Sequence, residues 1–313
     1  MAAVLRVDRL VKRYRTGVTA VKGISFEAHA GDVIGFLGPN GAGKTTTMKM
    51  IVNILTPSSG SIEVFGLDVH EEPVAALQHV GALLEVPGIY EYLTPVQLLR
   101  YLGRVRGIPT AQLDARIDEM LELVLLTKWK DSKLGGFSTG MGRRFHIASA
   151  LLHDPDLLVL DEPALGLDPK GLQDVRMIVH DLQKQGKTVL LSSHLLHEVT
   201  EMCNRVLMIN EGTMVIQDTV EALRNKGDER RLHIELEEEP TAAQLQWFSD
   251  LGTLELLERR GPELSFRYHG QRKDLVALHH KVVDQMPVVG FSPESLSLED
   301  LYISVVGKEG GVK

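Results

Sequence analysis

Eight residues, Gly38-Pro39-Asn40-Gly41-Ala42-Gly43-Lys44-Thr45, fit the phosphate-binding spacing G-x-x-x-x-G-K-[ST]. Glycines let such a loop turn its N–H groups inward around a phosphate chain. Lys44 is placed to reach β- and γ-phosphates, and the Thr45 hydroxyl to ligate Mg²⁺. The apolar run Val33 to Leu37 precedes the loop and reads as a buried strand. Met48, Ile51, Val52 and Leu55 follow at helical spacing. Strand, loop and helix together are the context the motif requires, which disfavours an ordinary glycine turn.

Further candidates end other apolar runs. Leu157-Leu158-Val159-Leu160 stops at Asp161-Glu162, which predicts a buried parallel strand with carboxylates at its C-terminal end. Open α/β sheets bind ligands at that end. There Asp161 suits a Mg²⁺ site and Glu162 suits the orientation or deprotonation of an attacking water. Standing alone, two acids at a strand end are more often solvated turn residues; the upstream loop reverses that preference. Thr188 to Ser193 is another such run, ending at His194. His194 and His197 have no evident third ligand, so a zinc site is rejected. Phe137-Ser138-Thr139-Gly140-Met141 opens a helix at a small-residue turn, a weak anion-site signal by itself. Tyr14, between two strand-like segments, is either an aromatic that stacks on a base or a packing tyrosine.

The elements that position these residues alternate between strand and helix. Val4–Asp8 and Val18–Phe26 read as an antiparallel pair, and Ser61–Gly66 as a half-buried strand. A helical insert follows at about 87–145. Its first helix has Thr94 as N-cap, Pro95 at N1 and Gln97 closing a capping box. Thr110 is expected to cap the second. Gly171 to Gln185 reads as helix, and Arg205–Asn210 and Gly212–Ile216 as the last strands of this domain. The polar stretch Arg224 to Arg231 marks a boundary. Beyond it Leu232-Ile234-Leu236 and Leu264-Phe266-Tyr268 alternate like strands, Asp274–Asp284 reads as helix, and Ser297 is expected to cap a last helix. The run Glu237-Glu238-Glu239 reads as a solvated turn. The division is therefore a nucleotide-binding domain over 1–225 and a small α+β domain over 229–313.

Composition narrows the partners. The 313 residues are 43% hydrophobic and 24% charged, with a net charge of -8. That balance argues against a general nucleic-acid surface. No stretch approaches the ~20 apolar residues of a membrane span, and the start lacks the apolar core of a signal peptide. A soluble chain is expected, in which any membrane role needs another polypeptide. The single cysteine, Cys203, suits a reducing compartment.

The order of these motifs resembles the nucleotide-binding subunits of ABC transporters, over roughly the first 225 residues. In detail it looks like the subfamily that partners ABC-2-type membrane subunits, which often carries a small C-terminal domain. The resemblance implies an α/β fold with a mixed sheet core, an antiparallel β subdomain and a helical insert. It implies an ATPase with ATP and Mg²⁺ as cofactors. Gly38, Pro39, Asn40, Gly41, Ala42, Gly43, Lys44, Thr45 and Thr46 would cradle the triphosphate, with Tyr14 stacked on adenine. Lys44, Glu162 and His194 would be catalytic, Glu162 as base and His194 at the γ-phosphate. Thr45, Asp161 and Glu85 would form the Mg²⁺ set. Ser138 and Gly140 would bind the ATP held by a partner, with Asp168 at the dimer interface. Two copies, or two related subunits, would close head to tail and drive a separate membrane permease, with export as the expected direction. The chain would then sit peripherally on the cytoplasmic face of the membrane.

Two departures from that family stand out. Thr139 replaces a signature glycine, so a left-handed backbone there would be strained. Glu85 stands where the family usually has glutamine, as in some peptide-antibiotic immunity and export subunits. Transmission to the membrane partner should run through this loop and the helical insert. The competing reading is a soluble ABC-type ATPase acting on nucleic acid or ribosomes. One nucleotide domain, one cysteine and no heptad run speak against it, and a regulatory switch with little turnover is a third reading.

Overall fold

Continuous apolar runs become the centre of the sheet. In the computed structural model, which describes residues 3–84, 90–226 and 230–295, Val33–Leu37, Leu157–Leu160 and Thr188–Ser193 are buried along their whole length. Strands covered on both faces must be apolar throughout. The six-stranded sheet runs in the order Thr213–Thr219, Arg205–Asn210, Val33–Leu37, Thr188–Ser193, Leu157–Leu160, Val80–Leu83. Only the outer hairpin, Arg205–Asn210 with Thr213–Thr219, is antiparallel. The parallel register sets Leu37 opposite Ser193 and Leu160 opposite Leu191. Gly38, Asp161 and His194 therefore leave the sheet along one edge.

A second, four-stranded sheet is antiparallel, in the order Thr19–His29, Ala3–Arg13, Ser59–Val64, Leu67–Asp68. Its first two strands reach 11 residues each, longer than their apolar alternation suggests, because register shifts absorb the breaks in the pattern.

Among the described residues the insert contains the α-helices Pro95–Val105, Thr110–Leu123 and Thr139–Leu151. The Thr94 capping box forms in both directions. Thr110 does not cap. Pro109 takes the N-cap position without a side-chain bond, and its ring holds φ at -57° so that Thr110 becomes the first helical residue.

Within Thr139–Leu151, His146 is buried and its Nε2 has no partner among the described residues. Burial, then the nearby Arg143 charge, pushes its pKa down to about 4, from 6.5. A folded pKa below the unfolded one gives stability that is present above pH 6.5 and lost as pH falls toward 4. His146→Leu should therefore flatten the acid loss of stability by about 2 kcal/mol near pH 5. Urea titrations of both proteins at neutral and acid pH measure this; equal slopes would show that His146 does not cause the loss.

Contacts divide the chain into Met1–Thr219 and Val220–Lys313. In the second unit Arg230–Leu236, Ala242–Asp250, Leu254–Arg260, Glu263–Tyr268, Leu275–Gln285 and Val288–Ser295 follow one another as β-α-β-β-α-β. Every neighbouring strand pair is antiparallel, which makes this a ferredoxin-like split βαβ unit. Leu232, Ile234, Leu264 and Phe266 alternate, as expected, onto a core with Phe248, Leu278 and Val282. The strands Leu254–Arg260 and Val288–Ser295 and the helix Ala242–Asp250 go beyond the sequence reading. Both strands lie at sheet edges, and the mostly exposed Leu254–Arg260 lacks the apolar alternation that would mark it. The cap expected at Ser297 and the helix after it lie outside the described residues.

Candidate functional site

The loop after Val33–Leu37 is shaped by two glycines that no other residue could replace. A Cβ on Gly38 would lie 2.3 Å from Ile209 O, and one on Gly43 2.5 Å from Ala20 O. Gly43 is also left-handed, at φ 109°, and forms the N-cap of Lys44–Ile51 without any side-chain cap. Among the described residues, the amides of Gly43, Lys44, Thr45 and Thr46 have no backbone acceptor. Unpaired amides at a helix start form an anion site. Ala42 N donates to Pro39 O at 3.1 Å and closes the turn through Asn40 and Gly41.

Lys44 is only 6% exposed. Its Nζ donates to Gly38 O at 2.6 Å and to Pro39 O at 3.3 Å, and lies 3.7 Å from Glu162 Oε1. Burial pushes its pKa down, against the opposing pull of Glu162 and Asp161. A cavity of about 360 Å³ opens above the loop, with Glu162, Leu165 and His194 across from Lys44 and Thr46.

The acids are held by a residue that sequence reasoning did not single out. Buried Ser192 donates to Asp161 Oδ1 at 2.5 Å and accepts from Glu162 N at 2.8 Å. It belongs to the polar end of Thr188–Ser193, but only the strand order places it beside Asp161. Thr45 Oγ1 donates to Asp161 Oδ2 at 2.8 Å. A hydroxyl and a carboxylate at the mouth of an anion cradle are the hard oxygen donors that suit Mg²⁺. Glu162 has φ 48°, a left-handed backbone costing roughly 1 kcal/mol for a residue with a Cβ; the Ser192 bond secures it. His194 Nδ1–H donates to Glu162 Oε2 at 2.9 Å. Arg143 is 7% exposed, and the Asp161 and Glu162 charges oppose the downward pull of burial on its pKa.

Tyr14 adjoins the cavity through Thr46: the residue is 36% exposed and its hydroxyl hydrogen-bonds Thr46 Oγ1 at 3.3 Å. The Lys12 ammonium sits 5.6 Å from the ring centre.

Ser138, Gly140 and Asp168 do not line this cavity. Ser138 Oγ accepts from Met141 N at 3.3 Å as the N-cap of Thr139–Leu151. Asp168 Oδ1 accepts from Gly171 N at 2.9 Å and caps Pro169–Lys184. The strain anticipated at Thr139 does not arise, because Thr139 is the first helical residue and its φ is not positive. Glu85 lies outside the described residues. Glu237, Glu238 and Glu239 are exposed.

The sequence profile of the ABC transporter family matches residues 21–165. Over 309 residues the chain is 34% identical to the bacitracin transport ATP-binding protein BcrA of Bacillus licheniformis, covering 98% of each chain. It is 33% identical over 305 residues to the daunorubicin/doxorubicin resistance ATP-binding protein DrrA of Streptomyces peucetius, covering 97% of this chain and 92% of the relative. Among solved structures, CbiO1 of Clostridium perfringens, part of the ABC transporter complex CbiONQ, is similar. It superposes with a TM-score of 0.67 at 27% identity, over 72% of this chain and 92% of that one.

Proposed function

The chain belongs to the ATP-binding proteins of ABC transporters, and from that premise we propose that two copies close head to tail on two ATP molecules and drive a separate membrane-embedded subunit. ATP binding and hydrolysis are the activity of the family. In this reading the amides from Gly43 to Thr46 and the Lys44 ammonium hold the phosphates, and Tyr14 stacks on adenine. Thr45 and Asp161 hold Mg²⁺, which would neutralise phosphate charge. Glu162 takes a proton from the attacking water, and His194 orients Glu162 and reaches the γ-phosphate.

Gly140 carries the head-to-tail part of this proposal. Its φ is not positive, and a Cβ there would meet only the Leu167 side chain at 3.7 Å and Gly171 Cα at 4.0 Å. Nothing within the described chain demands glycine, which supports the reading that the glycine serves a close approach from outside, that of the partner's γ-phosphate. Gly140→Ala should thus keep or raise the stability of the isolated chain, by up to ~1 kcal/mol for alanine over glycine in a helix. ATP turnover should fall by at least about tenfold, because a misplaced contact at a reacting group is costly. Thermal melts and phosphate release measure the two together; full turnover by the alanine variant would remove the case for a partner's nucleotide at Gly140.

Export is the direction that the bacitracin and daunorubicin relatives favour, with the chain held at the cytoplasmic face of the membrane. Among the described residues no helix is long and apolar enough to cross a membrane. Tyr92, Tyr101 and Val105 of the insert are exposed and suit a docking surface for the membrane subunit. The accessory unit does not favour nucleic acid. Its sheet face turned from the helices carries Arg231, His233, Glu235, Glu263, Ser265 and Arg267, a face of mixed charge on which Arg230–Leu236 and Glu263–Tyr268 place no aromatic side chain for stacking bases. Purification from detergent extracts separates the readings: an integral membrane partner supports transport, and RNA or ribosomes without one support the rival.

A further inference from the structure

The helix that begins at Ser138 is tied to its surroundings through Arg144. Its Nη1 lies 3.2 Å from Asp174 Oδ2, and the two side chains are 13% and 12% exposed. The same nitrogen donates to Val124 O at 3.2 Å and to Leu125 O at 3.5 Å. Val124 is the C-cap of Thr110–Leu123, and Leu125 turns the chain away with φ 59°. Asp174 belongs to Pro169–Lys184, the helix that Asp168 caps. One guanidinium thus joins the end of an insert helix, the Ser138 helix and the Asp168 helix. Near the starts of the latter two, a side chain at position 140 would come within 3.7 Å of Leu167 and 4.0 Å of Gly171.

This arrangement does something that propensity and apolar packing alone do not. Apolar contacts between helices slide at little cost, whereas a buried ion pair loses heavily when its partners separate, because each charge is left uncompensated in a poor solvent. The single nitrogen that meets Asp174 is also tied to two backbone carbonyls at the end of the insert helix, so sliding either helix disturbs contacts on both sides of the guanidinium. The pair therefore fixes the register of Thr139–Leu151 along Pro169–Lys184. Ser138 and Gly140 lie at the start of one helix and Asp168 at the start of the other, on the side of the pair from which both helices begin.

We propose that Arg144 and Asp174 are a positioning pair that sets Ser138 and Gly140 in register with Asp168, so that these residues meet a second copy's nucleotide as one surface. The inference rests on the head-to-tail reading above. Neither residue touches nucleotide; they act through the placement of Ser138 and Gly140. Because errors of about 1 Å at a reacting group can cost on the order of 10²-fold, loosening this register should weaken closure far more than nucleotide binding by the chain's own loop.

The test uses the full chain carrying Glu162→Gln, which should hold the ATP-bound pair together. Asp174→Asn is added to it, removing the charge while keeping a similar shape, and Asp174→Glu serves as the conservative variant. Light scattering measures ATP-dependent dimerisation, and a fluorescent ATP analogue measures binding to the monomer. Asp174→Asn should weaken dimerisation at least about tenfold with analogue affinity nearly unchanged, and Asp174→Glu should restore part of the loss. In the otherwise native chain, kcat should fall while KM for ATP changes little. If Glu162→Gln alone stays monomeric with ATP, the head-to-tail reading fails and this inference with it. If it dimerises and Asp174→Asn dimerises equally well, the positioning role alone is overturned. Parallel loss of analogue affinity and dimerisation would mean that the pair merely supports the fold, and would likewise overturn it.

Discussion

Glu162→Gln should lower ATP turnover by about 10²- to 10⁴-fold, the usual contribution of a general base, and leave ATP binding intact. The geometry separates the two effects. Glutamine keeps an oxygen that can accept from His194 Nδ1–H, which now lies 2.9 Å from Glu162 Oε2. It also keeps the backbone turn, because the Ser192 bond is made to the amide of residue 162. It loses the negative charge that would take a proton from water. The phosphate cradle from Gly43 to Thr46 keeps its backbone, and Lys44 loses only the nearby Glu162 charge while keeping Asp161 and its two carbonyl acceptors. ATP should therefore bind, close the pair and remain unhydrolysed. Phosphate release under single-turnover conditions, beside light scattering with ATP, reads both outcomes. Hydrolysis at the native rate would strip Glu162 of its assigned role.

Lys44→Ala should abolish tight ATP binding. Each hydrogen bond between a charged donor and its acceptor contributes about 1.5–3 kcal/mol, and an ammonium reaching two phosphates supplies two. The expected loss in affinity is on the order of 10²-fold or more. Lys44 is already gathered at the site: its Nζ rests on Gly38 O and Pro39 O, 3.7 Å from Glu162. Those carbonyls hold the ammonium where phosphate oxygens are its stronger acceptors. Burial works against its charge, and Asp161 and Glu162 work for it. Removing Lys44 also leaves these two acids with less opposing charge, which further disfavours an anionic ligand. Calorimetric titration with ATP measures the effect, and a thermal shift induced by ATP should disappear with it. An unchanged dissociation constant would refute the assignment of the loop.

Much of this protein can be read along the chain, because the informative signals are local. Loop spacing points to Lys44 and Thr45. Short apolar runs ending in polar residues point to Asp161, Glu162 and His194, and the sheet does bring all five to one edge. Capping at Thr94 is equally local, since a hydroxyl and a glutamine three residues on satisfy each other. Cap positions fail where a proline intervenes, as Pro109 does before Thr110.

Other features arise between segments far apart in sequence, and no pattern along the chain marks them. Ser192 looks like an ordinary strand serine until the strand order sets it against Leu157–Leu160, where it holds both acids. Arg144 and Asp174 look like solvated charges on two helices until packing buries them together. The split βαβ unit is hidden by its edge strands, which face water and need no apolar alternation. The sequence by itself determined the phosphate loop and the acids at the strand ends, because backbone conformation and burial imprint fixed spacings on neighbouring residues. Only the tertiary structure decided what holds those acids and what sets Arg144 against Asp174, because contact between distant segments depends on strand order and helix packing, which leave no periodic trace.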